Sequence, residues 1–237
     1  MTGKLRIEPE ISSVNLVLVG NFNPAIFTPA WFVLHELLPA KAAENASLQI
    51  AQGSLTAFST DWLQLQVTAD RFSAGTSQAP YIRLCDLVVA VFKVHLTHSP
   101  VNALGINRGV HFQVSDLTAR DRIGRALAPV EPWGAWSSAL GLTGDQGGMT
   151  SLTMSQLDPE GRPPGGRINV TVEPSSQVGQ GRLGVYVGIN DHYAVNSAGP
   201  GAGQQLIGLL ENNFTRSLSR SAEIIDHIMS LSEDKLE

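Results

Sequence analysis

At 237 residues, with 43% hydrophobic and 16% charged residues, the chain can fill one large domain or two small ones sharing a core, and it is too apolar for disorder. Sixteen Lys and Arg against 21 Asp and Glu leave a net charge of -5 with no dense basic run, which argues against a nucleic-acid partner. The single cysteine, Cys85, rules out an intrachain disulfide, and its apolar setting in RLCDLVVAVFKV points to a packing role.

The opening MTGKLRIEPEISS has no continuous apolar core, and no stretch reaches the roughly 20 apolar residues that span a bilayer, so a cytoplasmic protein without a membrane partner is expected. Val14 to Gly20, VNLVLVG, reads as an inner strand with little alternation. In the following FNPAIFTPAWF, Asn23-Pro24 imposes a turn, and Thr28-Pro29 supplies a cap and a first-turn proline for a helix from about Pro29 to Leu38. Phe27 and Phe32 stand at hydrophobic-staple positions, so the stretch reads as a structural hinge, since Pro29 removes an N–H that an anion would need.

Strands are expected at Ser47 to Gln52 and Trp62 to Thr68, then a helix from about Tyr81 to His95, apolar nearly all round and therefore lying across a sheet. Val110, Phe112 and Val114 alternate with His111 and Gln113 in a further strand, after which Ser115 or Asp116 caps a helix through about Ala126. Residues 128–148, rich in Gly, Pro and Ser and carrying Trp133 and Trp136, read as an insertion loop whose tryptophans should be covered. Strands return at Thr150 to Gln156, Arg167 to Glu173 and Leu183 to Asn190. Two helices, about Gln204 to Leu218 and Ala222 to Leu231, complete the chain.

The expected class is α+β: a mainly antiparallel sheet with helices packed on one face. The element order suggests two diverged β-α-β-β-(β)-α halves, residues 1–100 and 101–237, joined into one larger sheet.

Chemistry-bearing residues are sparse. No nucleophile elbow or Walker-type loop is present, GPGAGQQ reads as a flexible connector, and no cofactor is expected. No histidine pair has zinc-ligand spacing with a Glu or Cys, so no metal is expected, and His95 with His98 reads as compensation of a helix dipole. His111, His192 and Asp191 are the weak catalytic candidates, but adjacent strand residues point to opposite faces, which places Asp191 badly for orienting His192.

The alternative is binding. Trp62, Gln64, Gln66, His111, Gln113, Asn169, Thr171, Tyr186 and Asn190 fall on the expected outward sheet face, poor in charge and containing aromatics, with the Trp133 and Trp136 loop nearby. An ordinary solvated face is the competing reading.

Three stretches, VGNFNPAIFTPAWF, LGINRGVHF at Leu104 to Phe112 and GVYVGINDHY at Gly184 to Tyr193, resemble an uncharacterised, sporadically distributed family of prokaryotic proteins. The family's middle motif runs Leu-Gly-x-Arg-Tyr-x-Asn-Arg, and here Ile106 and Asn107 replace part of it. The resemblance implies an accessory role, such as one in an antiviral defence operon, and supplies no catalytic residues. The leading expectation is a non-enzymatic subunit that binds a protein partner or itself; the alternatives are a small His/Asp hydrolase and a small-ligand sensor between the halves.

Overall fold

The computed structural model of the chain describes residues 3–139, 147–160, 164–195 and 201–233. Nine strands form one antiparallel sheet: β1 (Ile11–Gly20), β2 (Ser47–Gln52), β3 (Leu55–Ser59), β4 (Gln64–Thr68), β5 (Arg71–Thr76), β6 (Val101–Gln113), β7 (Leu152–Leu157), β8 (Arg167–Pro174) and β9 (Gly184–Ala194). Their spatial order is β2-β3-β4-β5-β1-β6-β9-β8-β7, so β1 and β6 are the central pair and β2 and β7 the edges. This is an α+β fold, and α1 (Pro29–Leu34), α2 (Ala40–Glu44), α3 (Ile82–Ala90), α4 (Leu117–Leu127) and α5 (Ala202–Ser230) complete it. Among the described residues, no helix is long and apolar enough to cross a membrane.

Alternation sorts the strands into two faces. Val14, Leu16 and Leu18 of β1, Leu104, Ile106 and Val110 of β6, and Val185, Val187 and Ile189 of β9 are buried on one face. Against it pack two apolar clusters. The first is aromatic, with Phe72 and Phe92 in ring contact with each other and each with both Phe22 and Phe27. The second is aliphatic, built from Val110, Ile123, Ile168, Val172, Val187 and Ile225.

The 29 residues of α5 span both clusters, giving Leu206, Leu210 and Phe214 to the first and Ala222, Ile225 and Met229 to the second. Between the clusters lies a buried polar seam of Arg108, Asp191, Ser217 and Ser221. Arg108 donates through Nη1 to the Leu218 carbonyl at 3.3 Å, and burial lowers its pKa from the usual guanidinium value. Arg220 reaches Asp191 at 3.6 Å.

Several elements depart from the sequence reading. Strands β3 and β5 fall where the sequence reading placed no strand; β5, RFSAGT, buries only Phe72 and small side chains and so lacks a strand's usual apolar rhythm. The first helix stops at Leu34, because Glu36 takes a left-handed φ of 57°. Its Thr28 cap accepts from Trp31 N at 3.3 Å, and Phe27 packs on the Trp31 ring at 5.9 Å, so the hinge role stands with Trp31 as the nearer staple partner. The two C-terminal helices are one: the Ser221 hydroxyl donates to the Ser217 carbonyl at 2.8 Å, and the helix runs on through the serine-rich stretch. The helix expected to reach His95 changes to π geometry over Val91–His95. Asp116 caps α4 by accepting from Ala119 N at 2.8 Å, which holds its carboxyl below the ordinary range.

Candidate functional site

Among the described residues, the helices pack their buried side chains on the core face, and the other face carries the side chains that alternate with the core. Strand pairing lines up one residue from every strand: Ser47, Ser59, Gln64, Gly75, Asn15, Asn107, Asn190, Asn169 and Ser155, in spatial order. None of the nine is charged. The next row, Ser13, Gly109, Gly188, Thr171 and Thr153, is uncharged as well. Charges on this face, such as Arg71, Arg167 and Glu173, lie in rows nearer the strand ends.

The asparagines form a one-way hydrogen-bonded chain. Ser155 Oγ donates to Asn169 Oδ1 at 2.7 Å, Asn169 Nδ2 to Asn190 Oδ1 at 3.3 Å, and Asn190 Nδ2 to Asn107 Oδ1 at 2.6 Å. Asn107 Nδ2 then donates to the Asn15 carbonyl at 3.2 Å, while Asn15 Oδ1 accepts from Ser73 Oγ at 3.1 Å. Such a chain fixes each amide's orientation and polarises its members in the same sense. An amide has two donors and an acceptor with two lone pairs, so each half-buried Asn keeps capacity for a ligand beyond its bonds to its neighbours.

Below the row is a hollow of about 370 Å³ lined by Ser13, Asn15, Asn107, Asn169, Thr171 and Tyr186. Its floor is glycine. A Cβ on Gly188 would come within 2.5 Å of Tyr186 Oη, and one on Gly109 within 3.3 Å of the Tyr186 ring, so the missing side chains let Tyr186 lie over the sheet. His111 stacks on Tyr186 with ring centroids 4.8 Å apart, and its Nδ1 is 2.7 Å from Ser175 Oγ. Burial lowers the His111 pKa, opposed by Glu173, while burial and then Glu173 raise that of Tyr186.

Gln64, Gln66, His111, Gln113, Asn169, Thr171, Tyr186 and Asn190 all lie on this face, as read from alternation. Trp62 does not. It precedes β4 in a bend, where strand alternation does not apply, and it is buried in the aromatic cluster with the Arg83 guanidinium 3.8 Å above its ring. Trp133 and Trp136 stack on each other at 5.7 Å within the 3-10 segment Glu131–Ala139, yet each is 62% exposed, contrary to the expectation that they would be covered. Residues 140–146 of the expected insertion loop lie outside the described residues, as do Gly199 and Pro200 of the GPGAGQQ connector.

The catalytic candidates are dispersed. Asp191 faces the helices, accepting from Tyr193 Oη at 3.4 Å, while His192 faces the uncovered side beside Arg167. Burial and then Arg167 lower the His192 pKa. His111 has a hydroxyl at Nδ1 in place of the carboxylate that would orient a general base. His95 stands in the last turn of its helix, as the dipole reading requires, and its ring lies 4.4 Å from that of His35 at the rim of the aromatic cluster. Cys85 is buried, and burial, with Asp86 and Glu211, pushes its thiol up to about 12, away from nucleophilic use. Among the described residues, no group of three or more His, Cys, Asp or Glu side chains could hold a metal.

Sequence reasoning missed Asn15 and Asn107. Their signal was five asparagines inside strands, Asn15, Asn102, Asn107, Asn169 and Asn190, where Asn is disfavoured. No known family model matches the chain, and no curated protein does.

Proposed function

We propose that this protein is a non-catalytic interaction subunit that docks a protein partner on the uncovered face of its sheet. The supporting observation is the uncharged row of amides, serines and one glycine that crosses all nine strands beside a glycine-floored hollow. Solvated sheet faces are ordinarily dressed with charge, whereas the centres of interfaces are depleted in it and enriched in Tyr. The complementary partner surface is one of amides and hydroxyls, with a flat group to lie against Tyr186. The family resemblance favours an accessory setting, such as antiviral defence.

The hydrolase reading needs a histidine oriented by a carboxylate, and the bond from His111 to Ser175 and the opposed faces of Asp191 and His192 lend it no support. The sensor reading needs a closed apolar cavity between the halves; the hollow that Ser13 and Asn15 of the first half share with Asn107 and Asn169 of the second is lined mostly by polar side chains on the uncovered face, and the one of about 460 Å³ beneath α4 lies within the second half.

The test is site-specific photocrosslinking in the native host. A photoreactive residue at Gln66, on the uncovered face, should trap one defined protein, and the same residue at Ala126, exposed on α4, should not. Trapping by both positions alike, or by neither, would refute the reading.

A further inference from the structure

We infer that β7 is a self-pairing edge through which two copies of this chain join their sheets across a two-fold axis, independently of what docks on the uncovered face. The reasoning begins with the phase of the backbone bonds. Asp158 N donates to the Gly166 carbonyl at 2.8 Å, and this pair continues the β7–β8 register in which Leu152 faces Val172 and Met154 faces Val170. In an antiparallel ladder, bonded and non-bonded pairs alternate. Leu152, Met154 and Gln156 therefore spend their N–H and C=O groups on β8, while those of Thr153, Ser155 and Leu157 point outward from the edge strand.

A row of outward N–H and C=O groups is a template for another strand, and proteins ordinarily guard such an edge with Lys, Pro or a bulge. The sequence Leu152–Leu157, LTMSQL, contains no charge, proline or glycine. Its side chains are also uncovered on the side where β8 is buried. Ile168 and Val172 of β8 are core residues, but Met154, which shares their face, is 65% exposed, so the helix layer stops one strand short of the edge.

These two facts select the occupant. Thr153 and Ser155 flank Met154 symmetrically, and both face outward. A two-fold axis through Met154 pairs Thr153 with Ser155 of the second copy and Ser155 with Thr153 of the second copy, each pair exchanging both backbone bonds. Met154 then meets Met154 of the second copy at a non-bonded site, where facing side chains come closest and apolar surface is removed from water. Every residue keeps its face, because the axis is perpendicular to the sheet. Like charges opposed across such an axis would repel; this strand has none to oppose.

The test is light-scattering mass on the purified full chain over a wide concentration range. Twice the chain mass is expected, falling to one chain mass for Met154→Lys, in which two ammonium groups would face each other. Mixing Met154→Lys with Met154→Glu should restore the double mass, since the two-fold then brings opposite charges together. Ser155→Pro checks the same contact: it deletes an outward N–H, leaves the β8 ladder intact, and should also give single chains with an unchanged circular-dichroism spectrum. A wild-type chain that is a monomer throughout, a double mass untouched by these substitutions, or masses climbing without limit as β7 of one copy pairs with β2 of the next would overturn the inference. Asn107→Ala should leave the double mass unchanged, which separates this contact from docking on the uncovered face.

Discussion

Asn15 and Leu16 are neighbours in the chain, and the pleat of β1 sends one to a face of hydrogen-bonded amides and the other to a face of packed hydrocarbon. The whole sheet repeats that contrast. On the covered face, burial of apolar area supplies the stability, and any gap costs both transfer free energy and lost contacts. On the uncovered face the polar groups exchange bonds with one another and with water, so each contributes little net stability. A protein that needed the second face only for solubility could use charges there, which are cheaper to solvate and better at preventing association. The comparison teaches that the burial energy of this fold lies on one side of the sheet, and we propose that specificity lies on the other.

The contrast can be broken most forcefully from the covered side. Phe72→Ala empties a fully buried position among Phe22, Phe27 and Phe92 and should cost about 4 kcal/mol in urea unfolding. Phe27→Ala should cost about 3 kcal/mol for the same reason, as the anchor of the hinge after β1. A loss below about 1 kcal/mol in either would mean that the aromatic cluster repacks freely.

Acid sharpens the comparison, because the histidines on the uncovered face are held neutral. His111 and His192 have folded pKa values below 6.5, so near and below that pH the unfolded chain binds more protons than the folded one. Stability should therefore fall as pH drops from about 7 towards 5, and replacing both with Gln should flatten that part of the melting-temperature profile. Equal slopes in the two proteins would show that burial of these rings contributes nothing to the acid response. Asp70 and Asp116, held below the usual carboxylate range by Thr68 and by the Ala119 amide, add a further loss only as pH falls through the carboxylate range.

The smallest effect belongs to the amide row. Asn107→Ala removes bonds to Asn190 and to the Asn15 carbonyl, but water can reach these half-buried groups, so the cost should be about 1 kcal/mol in the same urea titration. A cost rivalling that of Phe72→Ala would make the row a structural brace.

Much of this contrast was legible in the sequence. Ile168, Val170 and Val172 against Asn169, Thr171 and Glu173, and Val185, Val187 and Ile189 against Tyr186, Gly188 and Asn190, separate the faces of β8 and β9 without error. The amide row was not legible as a row. Asn15 sat in a run that read as an inner strand with little alternation, and only pairing with residues up to 175 positions away brings it beside Asn107, Asn190 and Asn169. Register is fixed by the packing of the whole sheet, which no local window contains. Trp62 failed for the opposite reason: a strand's period was extended past the strand's end into a bend.

The most direct measurement compares Asn107→Ala/Asn190→Ala with Leu104→Ala, reading both urea stability and retention of the protein trapped at Gln66. The double asparagine variant should lose no more than about 2 kcal/mol yet lose that partner, whereas Leu104→Ala should lose about 3 kcal/mol or more and, under folding conditions, keep it. A stable double variant that still holds the partner at native affinity would contradict the assignment of binding to the uncovered face.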